Sequence, residues 1–255
     1  MKILLTVILL IQLNQSVTAS DWQREKRMAD QTVDAILDGD PIMLKAIERE
    51  FLSIYTEADE SEKAVIVMHG RGFHPDWVDT VQPLRIGLID YGWNTLSIQM
   101  PVLEKEAKYY DYVQIFDEAI PRIQAAIEYL KQQGNRQIVL IAHSCSVHMT
   151  MHYLDQHGDD EIDGFIGIGM GATDYRQPMA KPFPLDKLSI PVLDIYGADD
   201  YPAVHRLAAG RWSRITQAAN HASRQIVVDE ANHYFTDRGD ALLEAVAEWL
   251  GQAFN

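Results

Sequence analysis

Cysteine is almost missing from this sequence: Cys145 is the only one. An internal disulfide is therefore excluded, as is any metal site built from several thiolates. Basic residues are also few, 22 Lys and Arg against 37 Asp and Glu, for a formal net charge of -15. So acidic a chain has little electrostatic means of holding nucleic acid or an anionic membrane surface. No apolar run reaches the roughly 20 residues that span a bilayer, and no repeat or low-complexity tract is present. Without disulfides, the 255 residues must rest on a substantial core, and a single domain suits that length.

Met1-Lys2 precedes an apolar run at residues 3–13, and the polar stretch after it ends in Val17-Thr18-Ala19. One positive charge, a short hydrophobic segment and a small-residue end predict a secretory signal. Residues 1–19 are expected to be removed on export, with residues 20–255 forming the mature domain. No cysteine stands near the cleavage point, so no acyl chain can be attached there and no stable membrane anchor is expected. The sequence leaves periplasm and medium undecided.

Residues 21–37 place Met28, Val33, Ile36 and Leu37 at helical spacing, which predicts a peripheral helix outside the main sheet, without chemistry. Residues 42–47 and 51–55 read as strands joined by the charged turn Glu48-Arg49-Glu50. Short apolar runs predict further strands at 64–68, 94–99, 138–141, 162–169, 191–196 and 225–228. Helices are expected at 82–91, at 112–133 with Pro121 as a kink or second start, after residue 146, and at 241–250. Strand and helix alternate, which argues for an α/β fold with a mostly parallel sheet covered on both faces. Only 171–189 could form a lid, and a small one; no large cap domain fits.

The chain is organised around Ala142-His143-Ser144-Cys145-Ser146, which lies between a buried strand and a helical pattern. Small residues two before and two after a nucleophile give the form of a nucleophile elbow, whose tight turn lifts one side chain above the sheet. Centring the motif on Ser144 puts Ala142 and Ser146 at the crowded positions. Centring it on Cys145 would put His143 there. Ser144 is therefore the candidate nucleophile.

Such a serine needs a base, an acid to orient the base, and donors for an oxyanion. Two carboxylates follow the strand at 191–196, in Gly197-Ala198-Asp199-Asp200. Asp200 is the first candidate acid, Asp199 the alternative and Asp174 a more distant one. His233, between the last strand and the last helix, is the candidate base, since chain order runs serine, acid, histidine. His221 and His205 stand in less suitable places. His69-Gly70-Arg71-Gly72 supplies a loop whose glycines let backbone approach a ligand. The backbone N–H groups of Arg71 and Cys145 are the expected oxyanion donors. His148 and His152, four apart on the elbow helix, could share a metal, but no third ligand is evident; no metal or other cofactor is expected.

Taken together, the elbow at Ser144, the His69-Gly70 loop, the turn from Gly197 to Asp200 and Asn232-His233 resemble the α/β-hydrolase superfamily. More narrowly, His69-Gly70-Arg71-Gly72 with His74-Pro75-Asp76-Trp77, then Gly92-Trp93-Asn94 and Gln99-Met100-Pro101, resemble an uncharacterised family of exported bacterial α/β-hydrolase-like proteins. The resemblance implies the α/β-hydrolase fold, an esterase- or lipase-like serine hydrolase, a small-molecule acyl substrate and a periplasmic location. A non-catalytic binding or scaffold protein of the cell envelope is the alternative, because fold does not fix function. The broad pattern has glycines where this chain has Ala142 and Ser146. Substrate, acyl length and oligomeric state are not legible.

Overall fold

The computed structural model describes residues 19–254. The expected signal segment falls almost wholly outside them. Among the described residues eight strands form one sheet: β1 (Asp40–Ala46), β2 (Arg49–Thr56), β3 (Lys63–Met68), β4 (Asn94–Ile98), β5 (Gln137–His143), β6 (Gly164–Ile168), β7 (Val192–Asp199) and β8 (Arg224–Asn232). Their spatial order is β1-β2-β4-β3-β5-β6-β7-β8. The β1–β2 and β2–β4 pairs are antiparallel and every other pair is parallel. The helices are α1 (Trp22–Val33), α2 (Val81–Gly87), α3 (Tyr109–Val113), α4 (Ile120–Gln132), α5 (Cys145–His157), α6 (Pro202–Gln217) and α7 (Gly239–Phe254).

Alternation along the central strands divides the core between the two faces. In β3, Ala64, Ile66 and Met68 enter one cluster, and Val65 and Val67 the other. In β5, Ile138, Leu140 and Ala142 go with the first, Val139 and Ile141 with the second. The first is roofed by Ile123, Ile127 and Leu130 of α4 and by α5; the second by Leu84 of α2 and by Leu242, Val246 and Leu250 of α7. Each such fully buried aliphatic side chain contributes about 1.5–3 kcal/mol. These layers hold the sheet without a cross-link, and Cys145 is free and buried.

Several boundaries differ from those the sequence predicts. The long helix at 112–133 is three pieces: α3, a 3-10 turn at Phe116–Ala119, and α4. Pro121 falls at the start of α4, where its missing N–H costs nothing. The helix expected at 82–91 ends as a 3-10 turn, Leu88–Tyr91, stopped by Gly92 at φ 75°. The first hairpin turns at Ile47 and Glu48, because Ala46 pairs with Arg49; the expected three-residue turn gives Arg49 and Glu50 to the strand. The last strand runs to Asn232, well past 228, and so delivers its next residue to the strand ends. Residues 171–191 hold only one 3-10 turn, Leu185–Lys187, and no large cap covers the sheet.

Candidate active site

The elbow comes from geometry that the small residues permit. Ala142 is fully buried between Met68 of β3 and Gly167 of β6, its register partners. Ser144 has φ 55° and ψ -111°, a conformation costly for a residue with a Cβ. Its N–H donates to the Ile168 carbonyl at 2.9 Å, which ties the turn to the neighbouring strand. α5 starts at the next residue, so the partial positive charge of its N-terminus faces the serine.

Ser146, the residue in place of a glycine, turns its hydroxyl away from the cleft. It is buried and donates to the His69 carbonyl, joining the elbow helix to the His69-Gly70 loop. His69 is buried in turn: Nδ1 lies 2.7 Å from the Gly70 carbonyl, and Nε2 accepts from the Met100 N–H at 2.9 Å. Burial lowers its pKa to about 3. The ring is a neutral strut for the loop.

Two further strand ends converge on Ser144, which follows β5. From the end of β8, His233 places Nε2 2.8 Å from Ser144 Oγ. From the turn after β7, Asp200 Oδ1 lies 2.6 Å from His233 Nδ1. With Nδ1–H donated to the carboxylate, Nε2 is the acceptor of the serine hydroxyl. The Asp200 and His233 side chains are 0 % and 2 % exposed. Gly197 lets β8 pass this close, since a Cβ there would meet the Ala231 carbonyl oxygen at 2.0 Å. Asp199, one residue earlier, is exposed at the end of β7 opposite Asn232.

The other candidates lie elsewhere. Asp174 forms a two-pronged pair with Arg71, at 2.8 and 3.0 Å, and accepts from the Tyr109 N–H at 2.5 Å. Partial burial works the other way, but those donors hold its carboxyl below the usual range. The Arg71 guanidinium is thus engaged. Its backbone N–H, at the cleft, donates no hydrogen bond among the described residues, and the Cys145 N–H, first in α5, has no intrahelical acceptor. Neither N–H has a backbone acceptor among the described residues. Burial pushes the Cys145 thiol up to about 12, so it remains protonated. His148 lies 2.9 Å from the Ala172 carbonyl and His152 2.6 Å from Asp117. Among the described residues no cluster of His, Cys, Asp and Glu could hold a metal. His205 packs against Tyr196, and both it and His221 are exposed.

Several contacts escaped the sequence, which leaves Tyr201 open between a pocket wall and plain packing. Tyr201 stacks on His233, with centroids 4.2 Å apart and planes 23° from parallel. His143, next to Ser144, has Nε2 2.9 Å from the His233 carbonyl. Gly169 has φ 64°, and a Cβ on it would lie 2.8 Å from His233 Cε1. Nor is α1 detached from the loop at Gly72: Arg24 reaches the carbonyls of Gly72 and Leu103, and Glu25 is buried against Arg122 at 2.8 Å. The signal lay in the unbroken Gly-Arg-Gly loop and in Tyr201 and Tyr234, next to Asp200 and His233, but contact across the fold cannot be read from spacing. The cleft around Ser144 is lined by Phe73, Tyr109, Ala172, Thr173, Tyr201 and Tyr234. Beyond Tyr109 lies a more apolar groove lined by Phe116, Met151 and Phe183.

A family model described as a protein of unknown function, DUF3530, matches residues 15–111 and 113–252. No curated protein matches the chain at a significant level. Among solved structures, an esterase of Pyrococcus furiosus is similar at 17% identity and TM-score 0.66, over 86% of this chain and 92% of that one. Est1E from Butyrivibrio proteoclasticus is similar at 14% identity and TM-score 0.65, over 85% and 99%. A serine hydrolase without a lid from Xanthomonas campestris is similar at 13% identity and TM-score 0.64, over 85% and 95%. The fold is that of the α/β hydrolases.

Proposed function

The chain belongs to the DUF3530 family, and we propose that it is a serine hydrolase acting on a carboxylic ester or related acyl compound of small size. One observation carries this reading: Ser144, His233 and Asp200 form a continuous hydrogen-bonded chain at the carboxyl ends of parallel strands, beside two free backbone N–H groups. In the reaction, Ser144 Oγ attacks the acyl carbon as its proton passes to His233 Nε2. Asp200 keeps Nδ1 protonated and stabilises the imidazolium. The carbonyl oxygen, now negative, is held by the N–H groups of Arg71 and Cys145. Collapse expels the alcohol, which takes the proton from His233, and water then releases the acid by the same path.

Export after removal of residues 1–19, with residues 20–255 as the working domain in the periplasm, belongs to the same reading. The apolar run and small-residue end in the sequence support it. The acidity of the chain supports a small-molecule substrate over nucleic acid.

The test is labelling with a fluorophosphonate probe, comparing the native protein with Ser144→Ala. Labelling of the native protein alone is expected. Labelling that survives the substitution removes Ser144 as nucleophile, and no labelling of either protein favours a binding role on the same fold.

A further inference from the structure

Ser20, the first residue of the expected mature chain, is held as though it were a chain end. It is 7 % exposed. Its backbone nitrogen donates to Glu118 Oε1 at 2.9 Å and its hydroxyl to Glu118 Oε2 at 2.6 Å. Glu118 is partly buried in the turn at Phe116–Ala119 and pairs with no Lys, Arg or His among the described residues. The other carboxylate close by, Glu25, is taken by Arg122. A carboxylate without a cation thus faces a backbone nitrogen that is neutral while the chain continues before it.

We propose that Glu118 is the docking site for a new amino terminus created by processing. Hydrolysis of the Ala19–Ser20 peptide bond by a signal peptidase adds one water across it. The leader keeps the carboxylate, and the amine left on Ser20 takes a proton and pairs with Glu118. The inference rests on the export reading above. The N-terminal dipole of α1 opposes a cation at this position, but Asp21 at the cap and Glu25 in the first turn offset it. Arg122 is the cation on the neighbouring α4, and Glu25 occupies it.

The consequence reaches the cleft. Seating Ser20 fixes the first turns of α1, where Asp21 N–H donates to the Val102 carbonyl at 2.7 Å. One turn on, Arg24 holds the carbonyls of Gly72 and Leu103, and Glu25 accepts from the Val102 N–H at 3.1 Å. Gly72 follows Arg71, whose N–H is an oxyanion donor in the proposed reaction. Processing therefore completes a brace behind that donor.

The experiment expresses the full-length gene in an exporting bacterium and compares the processed product with a precursor whose cleavage is blocked by Ala19→Tyr, both in the same mild detergent. The processed protein is expected to begin at Ser20. Glu118→Gln should lower its Tm by about 2–4 °C, the shift expected when a chain of this size loses one modest ion pair. The same substitution in the precursor should cost under about 1 °C, because a neutral amide contact survives. The unsubstituted precursor should also melt lower than the unsubstituted product, a comparison that needs no variant at Glu118. Equal losses in the two forms overturn the ion pair. A mature terminus other than Ser20 overturns it together with the cleavage expected after Ala19. Unequal losses without fluorophosphonate labelling uphold the docking site and sink the hydrolase reading alone.

Discussion

The phenol ring of Tyr201 lies nearly flat on the imidazole of His233, 4.2 Å between centroids and 23° from parallel. Its hydroxyl is 2.7 Å from that of Tyr234, so two rings from different loops close one side of the imidazole. Partial burial and the neighbouring phenol raise the Tyr201 pKa above its ordinary range, and it stays a neutral wall.

Tyr201→Leu is expected to lower kcat by about 2–10-fold, from the 0.5–1.5 kcal/mol that such a stack contributes. Tyr201→Phe keeps the stack and should remain close to the native rate. The measurement is kcat and KM on one activated ester. An equal loss in the Phe variant would assign the effect to the hydroxyl pair instead.

Asp200→Asn should leave the fold intact and cost turnover heavily, by as much as about four orders of magnitude, the loss seen when such a carboxylate is neutralised in a serine protease. Asp199 is exposed and makes no contact with the imidazole, so Asp199→Asn should cost far less. Steady-state turnover of both variants decides the matter. The reverse order would reassign the acid.

Acid should destabilise the fold through three histidines. Burial lowers the pKa of His69 and His143 to about 3 and of His148 to about 4. In the unfolded chain each titrates near 6.5. Between these values the unfolded state binds more protons, so the stability they confer is full above about 6.5 and is lost as pH falls. At pH 5 each costs about 2 kcal/mol relative to neutral pH. His148→Gln should therefore reduce the loss of stability between pH 7.5 and pH 5 by about that amount in urea titrations. An unchanged loss would mean that His148 takes its proton within the fold.

The fold was legible because its signals are local. Ala64 to Met68 and Ile138 to Ile141 are apolar on both faces, which only a strand buried between two helical layers accommodates. Pro121 and Gly92 mark breaks because one lacks an N–H and the other tolerates positive φ. The continuation of β8 to Asn232 was not legible, because Asp229 and Glu230 look like loop residues in sequence. They belong to the sheet's exposed edge strand, which accepts charge.

At the site, the sequence by itself determined which residue types stand at which strand ends. The small residues around Ser144, the order of Asp200 and His233, and the glycines beside Arg71 all follow from chain chemistry. Only the tertiary structure decided which groups touch. It brings Asp200 to His233 and leaves Asp199 in solvent, and it gives Asp174 to Arg71. It turns Ser146 toward His69, lays Tyr201 on His233 and carries α1 to the Gly72 loop. The physical reason is that adjacent side chains on a turning segment diverge by large angles. Hydrogen bonds form or fail within a few tenths of an ångström. Those positions are set by packing between elements up to about a hundred residues apart in sequence, as with Arg122 and Glu25, for which |i−j| is 97.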